Sequence, residues 1–105
     1  MTTTKQFSSL QDLIAHAKTP VLVTFYSSWC GYCQQFAPIL EQVKSQMGDR
    51  VQIIKVNSEK YPKLLAEYEV KSLPTSVLFI DGEMASRIKG VMKTPDLIQY
   101  LQKFL

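Results

Sequence analysis

Two cysteines three positions apart, Cys30 and Cys33, stand at the junction of an apolar run and a helical period. The run before them, Val21-Leu22-Val23-Thr24-Phe25-Tyr26, is short, β-branched and aromatic, the pattern of a buried strand. Beyond them, Cys33, Phe36, Leu40, Val43 and Met47 recur at the spacing of one helix face. Cys30-Gly31-Tyr32-Cys33 therefore sits where a strand ends and a helix begins. There the first cysteine lies over unpaired backbone N–H groups and the positive end of the helix, both of which favour a thiolate.

The rest of the chain supplies elements around that junction. Lys5-Gln6-Phe7 reads as a short opening strand, and Ser8-Ser9-Leu10-Gln11 has the Ser-x-x-Gln pattern of a helix-capping box. Leu10, Leu13, Ile14 and Ala17 then form an apolar helical face, which Pro20 closes by disfavouring helix at the residue before it. The long helix runs to about Met47, is kinked by Pro38, and stops at Gly48-Asp49. Residues 51–57 predict a strand and residues 58–68 a helix with Leu64, Leu65 and Tyr68 inward and Pro62 in its first turn. Residues 70–73 read as a loop. Residues 75–80 and 84–89 pair as a hairpin across Asp81-Gly82, a two-residue turn signal. Thr94-Pro95 reads as an N-cap followed by proline at the first helical position, opening a last helix with Leu97, Ile98, Leu101 and Phe104 inward.

The order β-α-β-α-β-α-β-β-α implies parallel pairing through right-handed crossovers early in the chain and antiparallel pairing at its end. The expected class is α/β, a mixed central sheet flanked by helices on both faces. A length of 105 residues fits one domain, 1–105, with a real core. No apolar run approaches the roughly 18 residues that cross a membrane. Met1-Thr2-Thr3-Thr4-Lys5 is polar and lacks the apolar stretch of a signal peptide, so the chain reads as cytoplasmic. The net charge is +3, and seven of the twelve basic residues lie between Lys55 and Lys93, interleaved with acidic ones. That is a solvated surface, not the basic run expected for nucleic acid. The mild excess favours an acidic partner surface.

Three roles compete for the cysteines. A zinc site needs four protein ligands, or three and water, and the chain offers Cys30, Cys33 and one histidine, His16, on the first helix. A structural staple across so small a ring contributes roughly 2 kcal/mol at best, before strain. Redox catalysis is the reading the residues favour. In it Cys30, nearer the helix start, is the nucleophile, and Cys33, one turn in and more buried, resolves the mixed disulfide.

The whole arrangement resembles the thioredoxin family along nearly the entire chain. The match is carried by Trp29-Cys30-Gly31-Tyr32-Cys33 after a Phe25-Tyr26 strand end, by Pro38 inside the following helix, by Ser72-Leu73-Pro74-Thr75 at the family's cis-proline loop, and by Asp81-Gly82 and Gly90. The resemblance implies the thioredoxin fold and a cis bond before Pro74. It also implies a docking rim of Trp29, Ser72, Leu73, Pro74, Gly90 and Val91, where the backbone of Leu73 pairs with an extended partner strand. Trp29 reads both as half-buried packing beside the site and as a ring that shelters the cysteines and touches the partner. Gly31 permits close backbone approach. Two positions depart from the pattern. Tyr32 stands where the family usually has proline. Thr24 stands where thioredoxins usually bury an aspartate beneath the resolving cysteine, while its lysine partner is retained as Lys55.

The resemblance therefore implies a thiol–disulfide oxidoreductase, a protein-disulfide reductase serving electron transport and cell redox homeostasis. Such a protein acts as a monomer on disulfide-containing protein substrates. It needs no cofactor beyond its own Cys30–Cys33 disulfide and no metal, and a thioredoxin reductase using NADPH supplies its electrons. The alternatives are an oxidase or isomerase with the same chemistry, and a partner-binding module in which the cysteines are incidental.

Overall fold

The computed structural model describes residues 3–105, with side chains from Ser9 onward. Four strands form one sheet: β1 (Val21–Tyr26), β2 (Gln52–Asn57), β3 (Thr75–Ile80) and β4 (Glu83–Lys89), in the order β2-β1-β3-β4. β1 pairs in parallel with β2 and antiparallel with β3, and β3 pairs antiparallel with β4. Four helices accompany them: α1 (Thr3–His16), α2 (Gly31–Met47), α3 (Pro62–Glu67) and α4 (Thr94–Gln102), with a 3₁₀ turn at Gly48–Arg50.

Both faces of the sheet are covered. Val21, Val23 and Phe25 of β1 and Val77 and Phe79 of β3 pack with Leu10 and Ile14 of α1 and Leu64 of α3. Leu22 and Leu78 point the other way, onto Phe36, Leu40 and Val43 of α2 and Leu97 and Leu101 of α4. Side chains alternate along a strand, so one strand feeds two cores. This is why β1 is apolar at nearly every position: five of its six residues are buried. The predicted face of α2 is the buried one, and the helix runs through Pro38 to Gly48, where φ is +57°. Among the described residues no helix is long and apolar enough to cross a membrane.

The hairpin forms across Asp81 and Gly82, both at positive φ (53° and 82°). That is the geometry of the tight turn their sequence predicts. An irregularity between Leu78 and Phe79 shifts the β3–β4 register.

Four expectations give way. Residues 5–7 belong to α1 and not to a strand, because α1 begins at Thr3 and runs unbroken to His16. A three-residue stretch with one apolar side chain has no alternation to hold a sheet edge, whereas extending the helix satisfies its backbone directly. Ser8 consequently lies inside the helix and not at its cap. The third helix is shorter than residues 58–68. Asn57 Oδ1 accepts the N–H groups of Glu59 (2.8 Å) and Lys60 (3.3 Å), holding that stretch as a turn, and α3 begins at Pro62. At α4 the capping position falls on Lys93. Thr94 is already helical, and its hydroxyl donates to Gln42 Oε1 of α2 at 2.6 Å.

Candidate functional site

β1 delivers the chain to the rim of the sheet, and a four-residue turn, Ser27 to Cys30, reverses it into α2. Cys30 is the N-cap of α2, with extended backbone (φ −83°, ψ 113°). The capping residue's side chain ordinarily supplies an oxygen to a free N–H of the first turn. Here the acceptor is sulfur: Cys33 N–H donates to Cys30 Sγ at 3.1 Å. A backbone N–H and the start of a helix are both features that favour a thiolate in general. The two thiols are free, Cys30 partly exposed and Cys33 buried at 6% exposure. Burial, and then the hydrogen bond and charge of Cys30, push the Cys33 thiol up to about 11.

The loop before β3 closes over the cysteines. The Leu73–Pro74 bond is cis, as the resemblance implied. Cys30 Sγ lies 3.7 Å from the Leu73 carbonyl oxygen. Thr75 Oγ1 donates to the Ser72 carbonyl at 2.6 Å, and Gly90 N–H donates to the Pro74 carbonyl at 2.8 Å. The second of these ties the end of β4 to the cis-proline loop. Gly90 has φ of +86° and meets nothing within 4 Å of where a Cβ would stand, so its backbone conformation is what calls for glycine there. Leu73 thus meets Cys30 directly; Ser72 and Pro74 belong to the same loop, Gly90 is tied to it through Pro74, and Val91, next along the chain, is exposed. Gly31 and Tyr32 open α2, both exposed.

Trp29 corrects one expectation. It is 80% exposed and not half-buried. What holds it is Glu59, whose carboxylate accepts the Ser28 N–H at 2.9 Å and the Ser28 hydroxyl at 2.8 Å. Those bonds, with one from the Trp29 side chain, hold the Glu59 carboxyl below the usual carboxylate range. Gln34 Nε2 braces the same turn by donating to the Ser28 carbonyl at 3.2 Å. Glu59 is a site residue that the sequence does not signal, because it sits 31 positions from Ser28 in an ordinary polar stretch.

Beneath Cys33 the sheet presents Thr24, 1% exposed. Register places Lys55 beside it on β2 and Ser76 beside it on β3. Thr24 Oγ1 and Ser76 Oγ hydrogen-bond at 2.8 Å. Ser76 was the second residue missed; its signal lay in the alternation of β3, which turns Ser76 to the same face as Leu78. Lys55 is exposed and flanks both the cavity beneath Cys33 and a larger apolar groove beside α1. His16 stands apart on α1, exposed, with its ring 2.9 Å from the Asp12 carbonyl.

The arrangement is a dithiol with one partly exposed sulfur that accepts a helix N–H and one buried sulfur one turn behind it. Comparisons agree with it. The thioredoxin family model matches residues 1–103. A thioredoxin-like protein of Synechocystis is 45% identical over 105 residues, the full length of both chains. Thioredoxin 1 of Synechococcus elongatus is 33% identical, over 93% of this chain and 92% of the relative. Thioredoxin Y1, chloroplastic, of Arabidopsis thaliana is 40% identical over 94% of this chain, which spans 58% of that relative. A crystal structure of chloroplastic thioredoxin z superposes with a TM-score of 0.84 at 30% identity, covering 91% of this chain and 87% of that one.

Proposed function

The chain belongs to the thioredoxin family of thiol–disulfide oxidoreductases, and on that premise we propose that it reduces protein disulfides, with Cys30 attacking and Cys33 resolving. The carrying observation is the asymmetry of the two sulfurs: Cys30 caps α2 and accepts the Cys33 N–H, while Cys33 is buried. Thiolate is the nucleophile in disulfide exchange, and access decides which sulfur strikes first.

In the forward direction the Cys30 thiolate attacks one sulfur of a partner disulfide. A Cys30–partner bond forms, the partner's S–S bond breaks, and one partner thiolate leaves and is protonated. Cys33 then loses its proton and attacks Cys30 Sγ. The Cys30–Cys33 disulfide forms, the second partner thiolate leaves, and two electrons have passed to the partner. A flavoprotein thioredoxin reductase using NADPH returns them, and no bound cofactor takes part. An extended partner segment docks against the Leu73 backbone between Trp29 and the Ser72, Gly90 and Val91 rim, because backbone pairing tolerates varied partner sequence. The protein works as a monomer in a reducing compartment; relatives named as chloroplastic and cyanobacterial proteins both occur.

Reduction of insulin disulfides by NADPH and a thioredoxin reductase, against a dithiothreitol-driven control, tests the direction. Turnover only in the dithiothreitol arm removes the reductase as electron source. Preferential oxidation of reduced substrates replaces the reductase reading with an oxidase. Trapping of a partner by Cys33→Ser, and none by Cys30→Ser, is the expected assignment of roles.

A further inference from the structure

Between α2 and the end of β1 lies a cavity of about 90 Å³, lined among others by Thr24, Cys33, Ala37 and Lys55. A water occupies about 30 Å³ of liquid, so the space suits a small number of them when polar partners are present. The Thr24 hydroxyl and the Cys33 thiol are such partners. On the same face, Leu22 of β1 and Leu78 of β3 are fully buried hydrocarbon. Thr24, which lines the cavity together with Cys33, and its partner Ser76 interrupt that packing.

The pair has capacity to spare. Two hydroxyls carry two hydrogens, and their mutual bond uses one. Among the described residues neither makes another hydrogen bond. With Ser76 donating to Thr24, the Thr24 hydrogen is left to point at the contents of the cavity. We propose that the Thr24–Ser76 pair and the cavity beside it are the proton exit of Cys33, through which its thiol passes a proton to solvent water before attacking the mixed disulfide. This rests on the assignment of Cys33 as the resolving cysteine.

The groups facing Cys33 are Cys30 from its own helix, the Ser27 backbone from the turn before it, which hydrogen-bonds to the Cys33 sulfur, Thr24 and Tyr26 from β1, Lys55 from β2 and, through Thr24, Ser76 from β3. Among the described residues no aspartate or glutamate lines the cavity. A hydroxyl pair relays and an ammonium donates, so neither is a base. In the mixed disulfide Cys30 is itself covalently occupied. The Cys33 proton therefore leaves to water, the Thr24 hydrogen stabilises the thiolate formed, and the departing partner thiolate recovers a proton from solvent.

The test is stopped-flow reaction of the reduced protein with one equivalent of 5,5′-dithiobis(2-nitrobenzoate). The first thionitrobenzoate released reports attack by Cys30 and is second order. The next reports resolution by Cys33 and is independent of concentration. Thr24→Val keeps the volume and removes the hydroxyl; it is expected to slow resolution about tenfold, the worth of one hydrogen bond to a charged group, with the first phase unchanged. Ala37→Leu, which fills the cavity, is expected to slow the same phase. Ser76→Ala, the mildest change, serves where either of these fails to fold and is expected to slow it less. In each variant the resolution rate still rises with pH but reaches a given value at higher pH than in the wild type. Resolution unchanged in the folded variants, or slowed only in step with the first phase, overturns the proposal. Survival of the first phase in Cys30→Ser would instead overturn the assignment of the cysteines.

Discussion

Raising the pH on the reduced protein perturbs one buried proton. Cys33 is 6% exposed, and burial first, then the adjacent Cys30 sulfur, lifts its thiol from 9.0 to about 11. Between those values the unfolded chain gives up this proton while the folded chain keeps it. Folding stability from this group is therefore fully present below the unfolded value and is lost as pH rises through the folded one. Each pH step in that window removes up to about 1.4 kcal/mol, so the whole window removes at most about 2.7 kcal/mol. Solvent screening at the mouth of the site reduces this to about 1–2 kcal/mol. The assay is urea unfolding under reductant at intervals from about pH 8 to about pH 11.5, comparing wild type with Cys33→Ala. Groups remote from the cysteine pair, including the raised Tyr68 phenol, are common to both proteins and cancel in the difference. The expected result is a wild-type advantage that shrinks with pH across the window. A difference that stays flat refutes the claim that the fold holds the Cys33 proton.

Three further outcomes are expected. The bonds to Glu59 lower its carboxyl, so they persist above the ordinary carboxylate value and break only as pH falls below 4.5; fluorescence of Trp29, the sole tryptophan, reports that acid transition, and Glu59→Gln abolishes it. Gly82→Ala lowers stability by about 1–2 kcal/mol from its left-handed backbone alone, since the added Cβ meets Ala15 at an ordinary 3.6 Å; thermal melting against Ala85→Gly as a strand-composition control checks this. Phe25→Ala opens a void where the ring, 0% exposed, meets Tyr68 at 5.9 Å between centroids, and urea titration is expected to show a loss of about 3–5 kcal/mol.

Period and turn chemistry are local, and what they govern was legible along the chain. The buried face of α2, the near-continuous apolar run of β1 and the Asp81-Gly82 turn each follow from neighbours a few positions apart. The Cys30–Cys33 junction is of the same kind, since a strand ending at Tyr26 and a helix opening at Gly31 leave Cys30 at the cap. Ends were less legible. Residues 5–7 carried too little pattern to separate strand from helix, and Asn57 shortened α3 through its own side chain. The surroundings of the cysteines depended on register. Thr24 meets Ser76, 52 positions away, only because β1 pairs antiparallel with β3 in one alignment; a slip by one residue would turn the pair to opposite faces. Glu59 reaches Ser28 because β2 lies parallel beside β1 and brings the two loops to the same edge. Sequence by itself determined that two thiols sit at a helix start behind a buried strand. Tertiary structure alone decided what lies beneath and beside them, because those neighbours are joined by strand pairing across the sheet and not by any short-range period of the chain.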